Sequence, residues 1–148
     1  MNFNKKYLII YFLISMLPIL YTTLIYSSMP SEIPTHFNFI NIADGYGAKS
    51  SIWFGVFVYF IIDMAVLGLL LLQIKKVQKS TQHQKIDNKI ILYVNIFITF
   101  ISIVFVYSSA NYNEKEPFNI GAFILIGGLI ITITAILDYI RQKKQRVN

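Results

Sequence analysis

Two residues in this chain demand a chemical account from their setting alone. Asp63 lies in the middle of an apolar run, 52–74, that only it and Gln73 interrupt. A carboxylate at the centre of a helix in hydrocarbon costs about 2.5–3.5 kcal/mol even on a lenient insertion scale. Such a group is expected to hold a proton or a cation, or to fix helix register through hydrogen bonds, and the residues leave these readings open. With a helical rise of about 1.5 Å per residue, Thr99 and Thr132 fall at a similar depth on their own helices. Tyr59 lies one turn from Asp63 and can donate a hydrogen bond to it. Asp63, Tyr59, Thr99 and Thr132 therefore make up the expected intramembrane polar site. Asp138 sits near the end of its run beside Arg141 and is expected to pair there or be solvated.

The second residue is His36, in the segment MPSEIPTHFNFINIADGYGAK from Met29 to Lys49. Zinc needs three or four ligands, and only Asp44, Glu114 and Glu116 could join His36 if two connections met. His83 belongs to a different connection. No metal site or cofactor is expected, and a hydrogen bond between His36 and Asp44 is the preferred reading. Serines nearby would allow a nucleophilic triad on paper, but no motif orders them, so an enzyme is not expected.

These residues must be positioned by membrane helices. The chain has 148 residues, of which 55% are hydrophobic and 14% charged, too apolar for a soluble domain of this size. It contains no cysteine, which excludes disulfides, thiolate metal sites and a cysteine nucleophile. Four apolar runs, about 7–26, 52–74, 90–110 and 120–139, reach the roughly 20 residues needed to cross the hydrocarbon core. The first lacks an A-x-A cleavage site and is read as an uncleaved helix rather than a signal peptide. The expected architecture is an all-α membrane protein of one domain, 1–148, with a structured loop at 29–51.

Charge placement orients it. Lys5 and Lys6 precede the first run. The connection from Lys75 to Lys89 holds five lysines and one aspartate, and the tail holds Arg141, Lys143, Lys144 and Arg146. The other two connections carry Glu32, Asp44 and Lys49, and Glu114, Lys115 and Glu116. Basic residues stay on the cytoplasmic side, so both termini are expected inside and the 29–49 segment outside. The formal charge of +6 is thus a topology signal, and direct nucleic-acid binding is not expected.

Polar residues inside the runs recur at helical spacing. Tyr7, Tyr11, Ser15, Pro18, Thr22 and Tyr26 share one face of the first helix. Asn95, Thr99, Ser102 and Ser109 share one of the third. Gly121, Gly128, Thr132 and Ala135 share one of the fourth. Lipid gains nothing from such residues, so all three stripes should point into the bundle as packing contacts.

In the outer segment, Pro30 ends the first helix and Pro34 prolongs an extended path. Asp44-Gly45 and Tyr46-Gly47 read as turn dipeptides. Ser50 or Ser51 is placed to cap the second helix. Phe37, Phe39, Ile40, Ile42 and Tyr46 should fold against the mouth of the bundle or lie in the interface.

The ordered residues Met29-Pro30, Ile33-Pro34-Thr35-His36-Phe37-Asn38 and Asp44-Gly45-Tyr46-Gly47-Ala48-Lys49 resemble the N-terminal domain of the bacterial sporulation-delaying-protein immunity family. That domain carries LP-x-x-IPTHF, a short spacer, and a D-G-aromatic-G-small-K element between its first two membrane helices. The spacer here, Phe39 to Ala43, lacks the glycine expected near Asn41. The resemblance covers the first half of the chain, and the second half matches only as hydrophobic helices. It implies a multi-pass protein of the bacterial plasma membrane, in contact with lipid, that protects against or senses an exported antimicrobial peptide. Partners would be that peptide and a cytoplasmic regulator or another membrane protein. The resemblance assigns Pro34, His36, Phe37, Asn38, Asp44, Gly45 and Lys49 to a signature site for ligand recognition or for holding the loop's fold. The competing function is a small proton-coupled transporter or accessory transport subunit that uses Asp63.

Overall fold

A computed structural model describes residues 5–79, 88–115 and 119–147. Residues 80–87 of the basic connection, including His83, and Glu116 lie outside the described residues. The elements in order are α1 (Lys5–Ser15), α2 (Leu17–Ile25), a 3-10 turn (Tyr26–Ser28), β1 (Glu32–Phe37), β2 (Ala43–Ala48), α3 (Ser51–Lys79), α4 (Asn88–Ala110) and α5 (Ile120–Val147). Four helical stretches, Lys5–Ser28, Ser51–Leu72, Ile91–Ala110 and Ile120–Asp138, are long and apolar enough to cross a membrane. They make this a mostly helical chain with the character of a multi-pass membrane protein.

Burial follows the logic of hydrocarbon rather than of water. Ser15, Thr22, Asp63, Asn95, Thr99, Ser102, Ser108 and Ser109 are buried, whereas Leu24, Ile61, Leu69, Leu125 and Leu129 are exposed. Between helices in lipid, small and polar residues give close contact and hydrogen bonds, while leucine loses nothing by facing acyl chains.

The first span is broken at Met16. Pro18 lacks the N–H that would bond back along the helix, and its ring crowds the preceding turn. The ladder nevertheless continues around the break through Met16 N–H to Phe12 O (3.2 Å) and Leu20 N–H to Met16 O (3.0 Å). The result is a kink rather than an end. Helix α4 is the hub, packing against α1, α2, α3, α5 and β1.

Helix α5 is peripheral and packs on α4. Its stripe of Gly121, Gly128, Thr132 and Ala135 was expected to point inward, but Gly121 and Thr132 are exposed. The contact instead runs through Gly127 and Gly128. A Cβ on Gly127 would lie 2.4 Å from Phe100 Cε1, so only glycine admits that ring. Asp138 is paired across helices, accepting from Lys89 Nζ at 3.0 Å and Tyr93 Oη at 2.5 Å. That pairing joins α4 and α5 at the end remote from the strands.

The segment between the first two spans departs from an all-α architecture. It is an antiparallel hairpin in which Glu32 pairs with Ala48 and Pro34 with Tyr46, with irregularities between Pro34 and Phe37. Asp44-Gly45 and Tyr46-Gly47 are not turns but part of β2, and no described glycine has positive φ. Gly45 sits at a close approach: a Cβ there would meet His36 Cβ at 3.2 Å, tighter than most such contacts. The left-handed position is Asn41, at φ 63°, where asparagine does what the expected glycine would have done. Ser51 Oγ donates to Ala48 O at 2.7 Å, leading the chain out of β2 into α3.

Candidate functional site

The buried polar centre forms around Asp63, which is 3% exposed. Helix α1 contributes two donors one turn apart. Tyr11 Oη donates toward Asp63 Oδ1 at 2.6 Å and lies 2.8 Å from the Asp63 carbonyl oxygen. Ser15 Oγ is hydrogen-bonded to Asp63 Oδ2 and lies 2.9 Å from the Tyr11 carbonyl oxygen. Helix α4 contributes Asn95, whose Nδ2 donates to Asp63 Oδ2 at 2.8 Å and to Ser15 Oγ at 2.9 Å. One carboxyl thus ties α1, α3 and α4 together at a single level. Among the described residues, no salt bridge reaches it.

Beside this centre is a cavity of about 10 Å³, lined among others by Ser15, Tyr59, Asp63, Thr99 and Ser102. Tyr59 and Thr99 therefore share the site with Asp63, as cavity wall rather than as its bonded partners, and the Tyr59 ring packs on Phe105 at 6.0 Å. Thr132 does not reach it. Its hydroxyl donates to Gly128 O at 2.8 Å on α5, and it lines a separate apolar groove with Tyr93 and Phe97. Equal depth placed Thr132 near Asp63 on paper, but α5 lies outside the three-helix contact that holds the carboxyl. Conversely, Tyr11, Ser15 and Asn95 were legible as members of inward stripes, but not as Asp63's partners.

The hairpin residues divide into structural and exposed ones. Asn38 makes the turn: its Oδ1 accepts from Ile40 N–H and Ile42 N–H, both at 3.0 Å, and its own N–H donates to Ile42 O at 2.9 Å. Pro34 is buried at the base of β1. Phe37 packs edge-on against Tyr112 at 5.7 Å, and Tyr46 against the same ring at 6.3 Å. Tyr112 also holds the strand, since its hydroxyl accepts from Ala43 N–H at 3.0 Å. Loss of hydration, followed by Tyr112, Glu114 and Glu32, pushes the Tyr46 phenol above its usual range. Asn41 reaches the start of α5, bonding Asn119 and Gly121 N–H, each at 3.3 Å.

His36 and Asp44 pair across the strands at 2.5 Å, and both side chains are exposed. Lys49 is not part of that pair. Its ammonium lies over the Tyr26 ring, 5.0 Å from the centroid, while its N–H closes the hairpin base onto Ser31 O at 2.9 Å. The signature residues therefore form two groups at opposite ends of the hairpin. No cluster of three or more His, Asp or Glu that could hold a metal occurs among the described residues.

The apolar loop residues also divide. Phe39, at 107% exposure, and Ile40, at 69%, project from the tip and do not fold back on the bundle mouth. The docking is done by Met29 and Ile33, which are buried with Ile52, Val56 and Val106. Nothing in the sequence marks these two as the docking pair, because isolated apolar residues in a proline-rich stretch carry a weak signal.

A family model described as a domain of unknown function, DUF1648, matches residues 13–60. The match runs from the kinked first span through the whole hairpin into the first turns of α3. No curated protein and no solved structure matches the chain.

Proposed function

We propose that this chain is a multi-pass protein of the bacterial plasma membrane whose hairpin faces outward and recognises an exported antimicrobial peptide, in an immunity or sensing role. The observation that carries the reading is the hairpin. It is a two-stranded sheet anchored at its base by Met29 and Ile33, so among the described residues the outer edge of each strand has no partner strand. An extended peptide binds such an edge through main-chain hydrogen bonds, with neighbouring side chains giving selectivity. His36, Asp44 and the apolar tip are the exposed groups beside those edges. The motif resemblance supports the same assignment, and the matched domain, whose function is unknown, spans this segment. The excess of basic residues in the opposite connection and the tail supports the outward orientation.

The test is deletion of the gene, followed by exposure to culture supernatants of the producing strain and its neighbours. Sensitisation that is reversed by the wild-type gene is expected. Unchanged sensitivity would end this reading. The second reading, proton-coupled transport, is favoured by one observation, the burial of Asp63 among hydrogen-bonding groups with no cationic side chain paired to it among the described residues. Its test is flux in proteoliposomes, which Asp63→Asn should abolish.

A further inference from the structure

The hydroxyl protons around Asp63 can be counted. Four oxygen–oxygen contacts meet there: Tyr11 Oη to Asp63 Oδ1 and to Asp63 O, and Ser15 Oγ to Asp63 Oδ2 and to Tyr11 O. Each hydroxyl brings one proton. If the carboxyl is ionised, two protons serve the four contacts. The remaining two then set lone pairs against lone pairs in a low-dielectric interior. If the carboxyl is neutral, its own proton joins them. The carboxyl O–H donates to Ser15 Oγ, Ser15 donates to the Tyr11 carbonyl, and Tyr11 donates to Oδ1. Three of the four contacts are then hydrogen bonds.

A second, independent feature lies next to this ring. Ser102 lines the cavity beside Asp63, is 1% exposed, and its Oγ has no hydrogen-bond partner among the described residues. A buried hydroxyl left unpaired costs about 1–3 kcal/mol. The cavity, at about 10 Å³, has room for one water-sized sphere. The wall of this small, mainly apolar cavity includes Ser15, Tyr59, Asp63, Thr99 and Ser102, the residues from which a buried water would draw the two to four partners it needs. Among the described residues, the titratable side chains facing the carboxyl from the elements around it are Tyr11 from α1 and Tyr59 from α3. Helix α4 brings Asn95, Thr99 and Ser102, and α2 brings Pro18 and Ile19.

We infer that Asp63 is an intramembrane proton-binding site, held as the neutral carboxylic acid, with one water molecule bound between it and Ser102. The water is the route by which the buried proton exchanges. The inference does not depend on peptide recognition by the hairpin, and it can be read without measuring flux, so it stands apart from both functional readings.

The test is infrared spectroscopy of the purified chain in lipid, with isotope-labelled aspartate, at neutral pH. The wild type should show a carbonyl band of a protonated, hydrogen-bonded carboxyl. Asp63→Asn should lose it, and Tyr11→Phe should shift it. The Tyr11→Phe shift assigns the band even if the asparagine variant fails to fold. Transfer to deuterium oxide should shift the band, and Ser102→Val, which fills the cavity, should keep the band but slow that exchange. A spectrum with only carboxylate bands would overturn the proton. Unchanged exchange in Ser102→Val would overturn the water. Loss of the band on adding sodium chloride at constant pH would reassign the site to a metal cation and overturn the inference.

Discussion

Tyr11 Oη lies 2.6 Å from Oδ1 of Asp63, joining two residues 52 positions apart at the level where three helices meet. The phenol is 0% exposed, so in this fold the bond does not compete with water. In helix bundles such bonds average about 0.6 kcal/mol and reach about 1.7. Tyr11→Phe, which removes only the hydroxyl, should therefore destabilise the chain by about 1 kcal/mol. Asp63→Leu, which removes the carboxyl that Tyr11, Ser15 and Asn95 share, should cost about 2 kcal/mol or more. Reversible unfolding in detergent checks both. The double variant Tyr11→Phe with Asp63→Leu should lose less than the sum, because both changes break the same bond.

The absence of cysteine makes topology directly measurable. A cysteine placed at Phe39, which is fully exposed at the hairpin tip, should react with a membrane-impermeant maleimide on intact cells. A cysteine replacing His83 should react only after the cells are opened. The reverse pattern would invert the orientation inferred from the basic connections.

The His36–Asp44 pair should matter for recognition and hardly at all for stability. Both partners are exposed, and ion pairs of that kind contribute about 0–1 kcal/mol. His36→Ala should leave the unfolding midpoint nearly unchanged and abolish protection against the peptide. Full protection in that variant would remove the pair from the recognition surface. A large loss of stability would show that the pair instead holds the hairpin together.

Asn41 carries the left-handed residue of the hairpin turn at φ 63°. Asn41→Val should cost about 1–2 kcal/mol, since a β-branched residue resists that conformation. Asn41→Gly should be tolerated by the backbone and lose only the weak contacts to Asn119 and Gly121. Hydrogen exchange of the Ile40 and Ile42 amides reports the turn.

Gly127→Ala should detach α5 from α4, because the new methyl would sit 2.4 Å from Phe100 Cε1. Overpacking of this kind costs about 1–3 kcal/mol. Phe100→Ala in the same chain should recover much of that loss. Protease resistance of the α4–α5 pair gives the readout.

Much of the architecture could be read directly from residue types. Twenty-residue apolar runs leave few alternatives to spanning helices, because only a helix satisfies every backbone group in hydrocarbon within one segment. The inward faces of the first and third spans were legible for the same reason: Tyr11, Ser15, Asn95, Thr99 and Ser102 repeat at helical spacing, and all five are buried. The importance of the 29–49 segment was also visible. Its form was not, since Asp-Gly and Tyr-Gly signal turns in isolation and become strand only when His36, Pro34 and Ile33 lie opposite them.

What the sequence determined by itself is therefore local: span length, polar faces and the basic connections, each set by a residue's preference for lipid, water or backbone geometry. Tertiary structure decided which polar faces meet. Depth along the membrane placed Thr99 and Thr132 equally well beside Asp63, yet only Thr99 is there. The choice depends on the order of helices around α4, which arises from packing such as Phe100 into Gly127 rather than from any residue's own propensity. That order puts Tyr11, Ser15 and Asn95 on the buried carboxyl and leaves α5 at the edge.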